Sequence, residues 1–280
     1  MIADGRIRVN GDKAKVGMKI DPDNNDSITL DGIPIHLSSS PSPTPSSSHP
    51  LLPQRMTLVV NKPGNVLSAA GSDEWGRQTV VELAMKHLKS TTSSSCNHDD
   101  DDGDGDGDGD LSMLRLYPVG RLDLHTTGLI LVTNEGELAH RIAHPKYELE
   151  KEYHAVVKGN VDQDTVRWLE QGVALNDGMT HPAKVAILDN NAAPSGGRKG
   201  KAPSGGKGKG KGNTTRLSLT IHEGRNRIVR RMCAAVGHPC VALHRARIGP
   251  IHDPHLALGA LRPLTPAERR SLHSLLHLSI

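Results

Sequence analysis

Two short stretches of the chain hold side chains that could do chemistry. In YPVGRLDLHTTGLILVTNEG, residues 117–136, Asp123 follows close on Arg121, at the approach to a strand too apolar to be exposed. A guanidinium beside a carboxylate favours its charged form. Such a carboxylate is either a structural ion pair or a nucleophile, and spacing alone leaves both readings open. The second stretch is GRNRIVRRMCAAV, residues 224–236. At helical spacing Arg227, Arg230 and Arg231 share one face, while Ile228, Val229, Met232 and Val236 supply the apolar remainder. Three guanidiniums on one face repel each other unless an anion sits there, either an RNA phosphate or a protein carboxylate. A solvated basic face is the plainer alternative.

Other candidate sets fail on their chemistry. His140 and His144 are spaced i, i+4, but HRIAH lacks the Glu of a zinc-protease HExxH helix, which argues against a metal-dependent hydrolase. Cys233, His238, Cys240 and His244 match no common zinc spacing, so the two cysteines read as buried structural thiols. A calcium loop threaded from Asp100 would place Leu111 at its twelfth position, where a bidentate Glu is needed. Residues 205–212 approach a phosphate loop but lack its Ser/Thr and its flanking strand. No metal site is expected.

Several elements must position Asp123 and the arginines. Leu58–Val60 is a short apolar run. Thr79 with Glu82 forms a capping box ahead of Leu83, Ala84 and Leu88. GLILVT, residues 128–133, reads as a buried strand, and residues 153–158 as another. Leu217, Leu219 and Ile221 alternate with polar residues, as in a half-buried strand. A helix is expected over residues 226–236, stopped by Gly237. Thr265, Pro266 and Glu268 start a last helix with Pro at its first position. Strands and helices mix without a βαβ rhythm, which indicates an α+β fold.

Composition bounds the rest. The chain has 280 residues, three cysteines, no Phe and only five aromatic residues. So few cysteines exclude a disulfide scaffold and suggest a reducing compartment, and so few aromatics weigh against broad stacking platforms. No stretch approaches the roughly 18–20 apolar residues that span a bilayer, and MIADGR carries no apolar signal core. The net charge of +3 conceals an acidic run with eight Asp at 99–110 and a basic one with six Lys/Arg at 190–213. Outside them bases exceed acids by five, which is compatible with a polyanionic partner. Three regions follow: a short piece at 1–37, a Ser/Pro-rich linker at 38–55, and a main domain at 56–280 with low-complexity inserts at 90–110 and 190–213.

Taken together, the two chemical stretches resemble the bacterial-type pseudouridine synthases of ribosomal RNA, in the branch that modifies single sites in the small or large subunit. The string GRLDLHTTGLILVTNEGELAHRIAHPKYELEKEY is similar to the catalytic segment of that family. Supporting strings follow in family order: NKPGNVLSA (61–69), GRQTVVEL (76–83), HPAKVAIL (181–188), EGRNRIVRRM (223–232), AVGHPCVALHRARIGPI (235–251) and LGALRPLTPAE (258–268). Several ordered motifs are far more specific than one. The string GRIRVNGDKAKVGMKIDPDNNDSITLDGIPI resembles the second half of an S4-type RNA-binding domain.

The resemblance implies an α+β catalytic domain on a mixed, mainly antiparallel sheet, preceded by a partial S4-like domain. It implies isomerisation of a specific uridine to pseudouridine, with no cofactor, because no atom is gained or lost. Asp123 matches the catalytic Asp, Arg230 its cationic partner, Tyr153 the tyrosine on the target base, and Arg121 the residue that helps hold the nucleotide out of its stack. Val229 matches an apolar position under the base. Lys62, Arg225, Arg227, Arg231, Arg245 and Arg247 are expected to contact RNA phosphates. Two departures accompany these matches. Ile228 stands where the family helix usually has Gln, and the two leading S4 helices have no counterpart before Gly5. The latter suggests either upstream truncation or a piece that packs on the catalytic domain. The competing reading is a non-catalytic RNA-binding or ribosome-assembly protein on the same scaffold. Ribosomal RNA is the expected partner, with no membrane, and the chain is expected to act as a monomer. The homopolymer-like inserts suggest a eukaryotic gene for a bacterial-type enzyme, hence a plastid or mitochondrion, otherwise the cytoplasm.

Overall fold

A computed structural model describes residues 5–15, 18, 27–35, 55–71, 73–93, 114–190 and 213–278. The expected linker lies outside the described residues except for Arg55. So do most of the two inserts, and with them Cys96, the calcium-loop string and the phosphate-loop string. The chain divides into two compact units, Met1–Leu52 and Pro53–Ile280.

The first unit carries four short strands, β1 (Ile7–Val9), β2 (Asp12–Lys13), β3 (Ile28–Leu30) and β4 (Ile33–Ile35), paired antiparallel in the order β2-β1-β3-β4. Both hairpins turn on a dipeptide made for the purpose. Asn10–Gly11 and Asp31–Gly32 all have positive φ, as a two-residue turn between right-twisted strands requires. Arg6 donates to the Asp31 carboxylate through Nε at 3.0 Å, fastening the chain ahead of β1 to the second turn.

The second unit is built on a nine-stranded sheet. Its strands are β5 (Thr57–Lys62), β6 (Tyr117–Val119), β7 (Thr127–Thr133), β8 (Lys151–Lys158), β11 (Lys184–Asn190), β12 (Thr214–Ile221), β13 (Cys240–Ile248), β14 (Ile251–His252) and β15 (Leu261–Pro263). The order is β11-β12-β8-β13-β7-β5-β15, with β14 on β13 and β6 on β7. A small hairpin, β9 (Ala174–Leu175) with β10 (Gly178–Met179), stands apart. Every pairing in the large sheet is antiparallel except β7 with β13, where His244 meets Thr127 and Arg245 meets Gly128. This is the mixed, mainly antiparallel sheet of the expected α+β class.

The parallel seam depends on glycine. Gly128 has φ +111°, and a Cβ there would lie 2.3 Å from the Arg245 carbonyl oxygen. No other residue fits that approach. On one side of the seam, β8 and β12 bury Ala155, Val157, Leu217 and Leu219 against Val166 and Leu169 of α3 (Gln163–Gln171) and Met232 and Cys233 of α4 (Ile228–Ala235). On the other, β5 and β7 are buried on both faces. One face packs on Val80, Val81 and Ala84 of α1 (Val80–Ser93). The other meets Leu138 and Ile142 of α2 (Gly136–Ala143) and Leu272 of α5 (Pro266–Leu275). Two-sided burial explains why GLILVT shows no alternation.

The helix boundaries follow their caps. Thr79 and Glu82 form the expected box, Thr79 N donating to Glu82 Oε2 at 2.9 Å and Glu82 N to Thr79 Oγ1 at 3.2 Å. Thr265 and Glu268 form the second, with Pro266 in the first turn. α4 departs from expectation by starting at Ile228 rather than 226. Arg227 adopts a left-handed conformation, φ +48°, which turns the chain into the helix one residue later than periodicity suggests. Among the described residues no helix is long and apolar enough to cross a membrane.

Candidate active site

The loop between β6 and β7 is clamped before it presents anything. Leu122 is buried, and both its backbone groups bond Ser68: N–H to Oγ at 3.1 Å, and C=O from the Oγ hydroxyl at 3.1 Å. The Leu124 carbonyl accepts from Asn65 N at 2.9 Å and from Lys62 Nζ at 3.3 Å. Thr126 N closes the turn on the Asp123 carbonyl at 3.0 Å. Asp123 is thereby held at the mouth of a cleft with its side chain about a quarter exposed.

Two guanidiniums reach that carboxylate from α4 and its cap. Arg230 Nε lies 3.6 Å from Asp123 Oδ2, and Arg227 Nη1 lies 3.5 Å from the same oxygen. They are not equivalent. Arg227 is mostly exposed, while Arg230 is buried to 14% exposure. Arg230 is held behind by the Cys240 carbonyl at 3.3 Å and the Thr126 hydroxyl at 3.4 Å. Its Nε makes no hydrogen bond among the described residues, so the Asp123 charge stands nearest to it without satisfying it.

Tyr153 on β8 lines the same cleft, as do Arg121 and the buried Val229. Arg121 is exposed and makes no hydrogen bond or ion pair among the described residues. Arg245 is 3% exposed; its Nε donates to the Leu129 carbonyl at 2.7 Å and its guanidinium lies 6.0 Å from the Tyr153 ring centre. Ile228, the departure from the family helix, is buried in the core and borders the cleft, so an apolar side chain suits its surroundings.

Among the six residues expected at phosphates, placement differs sharply. Arg227 is exposed in the cleft wall. Lys62 is fully buried, its ammonium on the carbonyls of Pro63, Val66 and Leu124, so it cannot reach a phosphate and instead braces the loop that carries Asp123. Arg245 is likewise internal. Arg225 pairs with Glu223 at 2.8 Å and with Asp177 at 3.2 Å, while Arg231 takes the other Asp177 oxygen at 2.9 Å. Arg247 pairs with Glu152 at 2.9 Å. Protein carboxylates thus meet all three arginines of the 224–236 stretch that were read as one basic face.

Lys151 was not singled out from sequence, though it opens the KEY string that contains Tyr153. It lines the cleft, donates to the Leu149 carbonyl at 2.9 Å, and has its pKa pulled from 10.5 to about 8 by burial, then by Arg245. Cys233 is fully buried, its thiol pushed up to about 12 by desolvation, whereas Cys240 is half-buried. His140 and His144 face each other with ring centres 5.1 Å apart. Among the described residues no three His, Cys, Asp or Glu converge to hold a metal.

Residues 56–235 match the family described as RNA pseudouridylate synthase. A protein of Aquifex aeolicus named an uncharacterised RNA pseudouridine synthase is 33% identical over 274 residues, covering 97% of this chain and 85% of that one. Ribosomal large subunit pseudouridine synthase B of Bacillus subtilis is 32% identical over 276 residues, covering 98% and 88%. A crystal structure of a pseudouridylate synthase superposes with a TM-score of 0.58 at 25% identity, covering 97% of this chain and 90% of that one.

Proposed function

The chain belongs to the RNA pseudouridylate synthase family, and from that premise we propose that it isomerises a specific uridine of ribosomal RNA to pseudouridine with Asp123 as the catalytic carboxylate. The observation that carries this reading is the cleft itself: the Asp123 carboxylate, clamped through its loop, beside a part-buried guanidinium and a tyrosine.

The reaction breaks the N1–C1′ bond, turns the base and joins C5 to C1′. C5 loses a proton and N1 gains one, so atoms balance and no cofactor is required. Attack on the base, attack at C1′ and removal of the C2′ proton all need an ionised carboxylate at one fixed point. Arg230 positions that carboxylate and favours its charged form. Tyr153 and Val229 offer the faces between which a flat base could lie. Reaching C1′ requires the nucleotide to leave its stack, at a cost of a few kcal/mol. Arg121, exposed and uncommitted, would help hold the flipped nucleotide out of its stack, with Arg227 as a phosphate contact. The paired Arg225, Arg231 and Arg247 would have to exchange a carboxylate for a phosphate to contribute. All these groups belong to one chain, which supports action as a monomer.

The first unit contributes a second RNA contact in this reading. Arg8, Lys13 and Lys15 are exposed on or beside its small sheet, as a partial S4-like module would need.

The test is a pseudouridine map. Unmodified ribosomal RNA is incubated with the protein or with Asp123→Asn, without metal or nucleotide, and pseudouridines are located by carbodiimide-dependent primer-extension stops. A stop at one uridine that is absent with Asp123→Asn is expected. No stop with the wild type, despite RNA binding, would favour the non-catalytic RNA-binding reading and overturn this one.

A further inference from the structure

We propose that Trp75 is a stacking platform for a base next to the flipped uridine, an inference that rests on the function proposed above. Both tryptophans of the chain are exposed, Trp168 at 59% and Trp75 at 81%. A chain without Phe and with only two Trp leaves one of them mostly in water, at a loop tip.

The loop is built, and it is built onto the catalytic loop. Its base is closed by the Leu67–Thr79 bridge, with Leu67 N donating to the Gln78 carbonyl at 2.9 Å and Val80 N to the Leu67 carbonyl at 2.8 Å. At that base Ser68 makes both of its bonds to Leu122, the residue before Asp123. Farther out, Asp73 organises the tip. Its carboxylate accepts from Trp75 N at 3.2 Å, Arg77 N at 3.3 Å and Arg77 Nε at 2.8 Å. Gly76, at φ +65°, folds back to bond the Asp73 carbonyl at 3.0 Å. The Trp75 backbone is therefore held within a loop whose base bonds the Asp123 loop, while its indole stands exposed.

Geometry and chemistry select the ligand. Trp75 is four residues from the bridge, hence within about 14 Å of it, a distance that a few stacked nucleotides span. When a base is extruded, its neighbour loses a stacking partner and exposes a π-face. An exposed indole on the loop that bonds the Asp123 loop would replace the lost partner whatever the base. Arg77 neutralises Asp73, while the exposed Glu74 next to Trp75 disfavours a phosphate there and leaves the base face as the group for the indole to meet.

Binding is measured on unmodified, fragmented large-subunit ribosomal RNA transcripts, in the Asp123→Asn background to prevent turnover. Trp75→Ala is expected to weaken binding about tenfold or more. Trp75→Phe restores most of the affinity, and Trp75→Leu does not. Trp168→Ala leaves affinity unchanged, and RNA quenches indole emission in that variant but not in Trp75→Ala. With Asp123 intact, Trp75→Ala raises KM more than it lowers kcat. Affinity within twofold of the parent in Trp75→Ala, or equal rescue by Leu and Phe, overturns the proposal while pseudouridine formation stands. Trp75-dependent binding without pseudouridine formation by the wild type would instead remove the catalytic reading and leave the platform.

Discussion

Arg230 stands behind Asp123 as a guanidinium fixed at two of its nitrogens, by Cys240 and Thr126, with its third nitrogen 3.6 Å from the carboxylate. A planar fork anchored this way aims its charge, which a flexible ammonium cannot do. Arg230→Lys is expected to lower the single-turnover rate at saturating RNA about a hundredfold with little change in RNA affinity. Arg227→Ala, removing an exposed partner of the same oxygen, should cost less than about fivefold in that rate. Equal losses in the two variants would contradict the distinction.

The buried lysines make a prediction about pH. Burial pulls Lys62 from 10.5 to about 8, and Lys151 shifts to the same value for the same first reason. Between pH 8 and 10.5 the unfolded chain then holds more protons than the folded one. Folding stability therefore rises with pH across that window and declines as pH falls through 8. The buried Cys233 thiol acts in the opposite direction, but only above its ordinary value of 9. Urea unfolding from pH 7.5 to 9 should show increasing stability, and Lys62→Met should flatten the slope. An unchanged slope in that variant would place the titration elsewhere.

Asp177 holds two arginines at the tip of the β9–β10 hairpin. Asp177→Asn removes the charge that occupies them. RNA binding should then tighten at low salt, and the plot of log affinity against log salt should steepen by about one to two phosphate contacts. A slope identical to that of the wild type would show that Arg225 and Arg231 serve the hairpin alone.

Gly128→Ala tests the seam. The added methyl meets backbone at 2.3 Å, which a rotamer change cannot relieve. The loss should exceed about 2 kcal/mol in denaturant unfolding. Gly120→Ala, also at positive φ but with open space around it, should cost less.

What could be read from the chain was mostly local. The two capping boxes and the buried GLILVT strand are written in adjacent residues, and the helices and strand formed where those signals stand. β5 proved longer than its apolar core of Leu58–Val60, because Thr57, Asn61 and Lys62 are buried with Thr57 Oγ1, Asn61 Nδ2 and Lys62 Nζ bonded. The cleft position of Asp123 and Arg230 was reached through the family resemblance, since their contact joins residues more than a hundred apart. The burial of Lys62 is hidden from the sequence for the same reason. A lysine beside a turn looks solvated in sequence, and only the return of the 120–126 loop buries it. The late start of α4 depends on one left-handed Arg227, a conformation no neighbouring residue announces.

The single parallel seam of the large sheet also decides whether the two charges meet at all. Asp123 enters from the strand on one side of β7–β13, and Arg230 from the helix packed on the other. The seam pairs segments far apart in the chain, and β5 with β15 pairs segments farther apart still, so neither the seam nor the half that carries Asp123 closes from local contacts alone. A chain in which the seam has not formed therefore holds a carboxylate without its guanidinium.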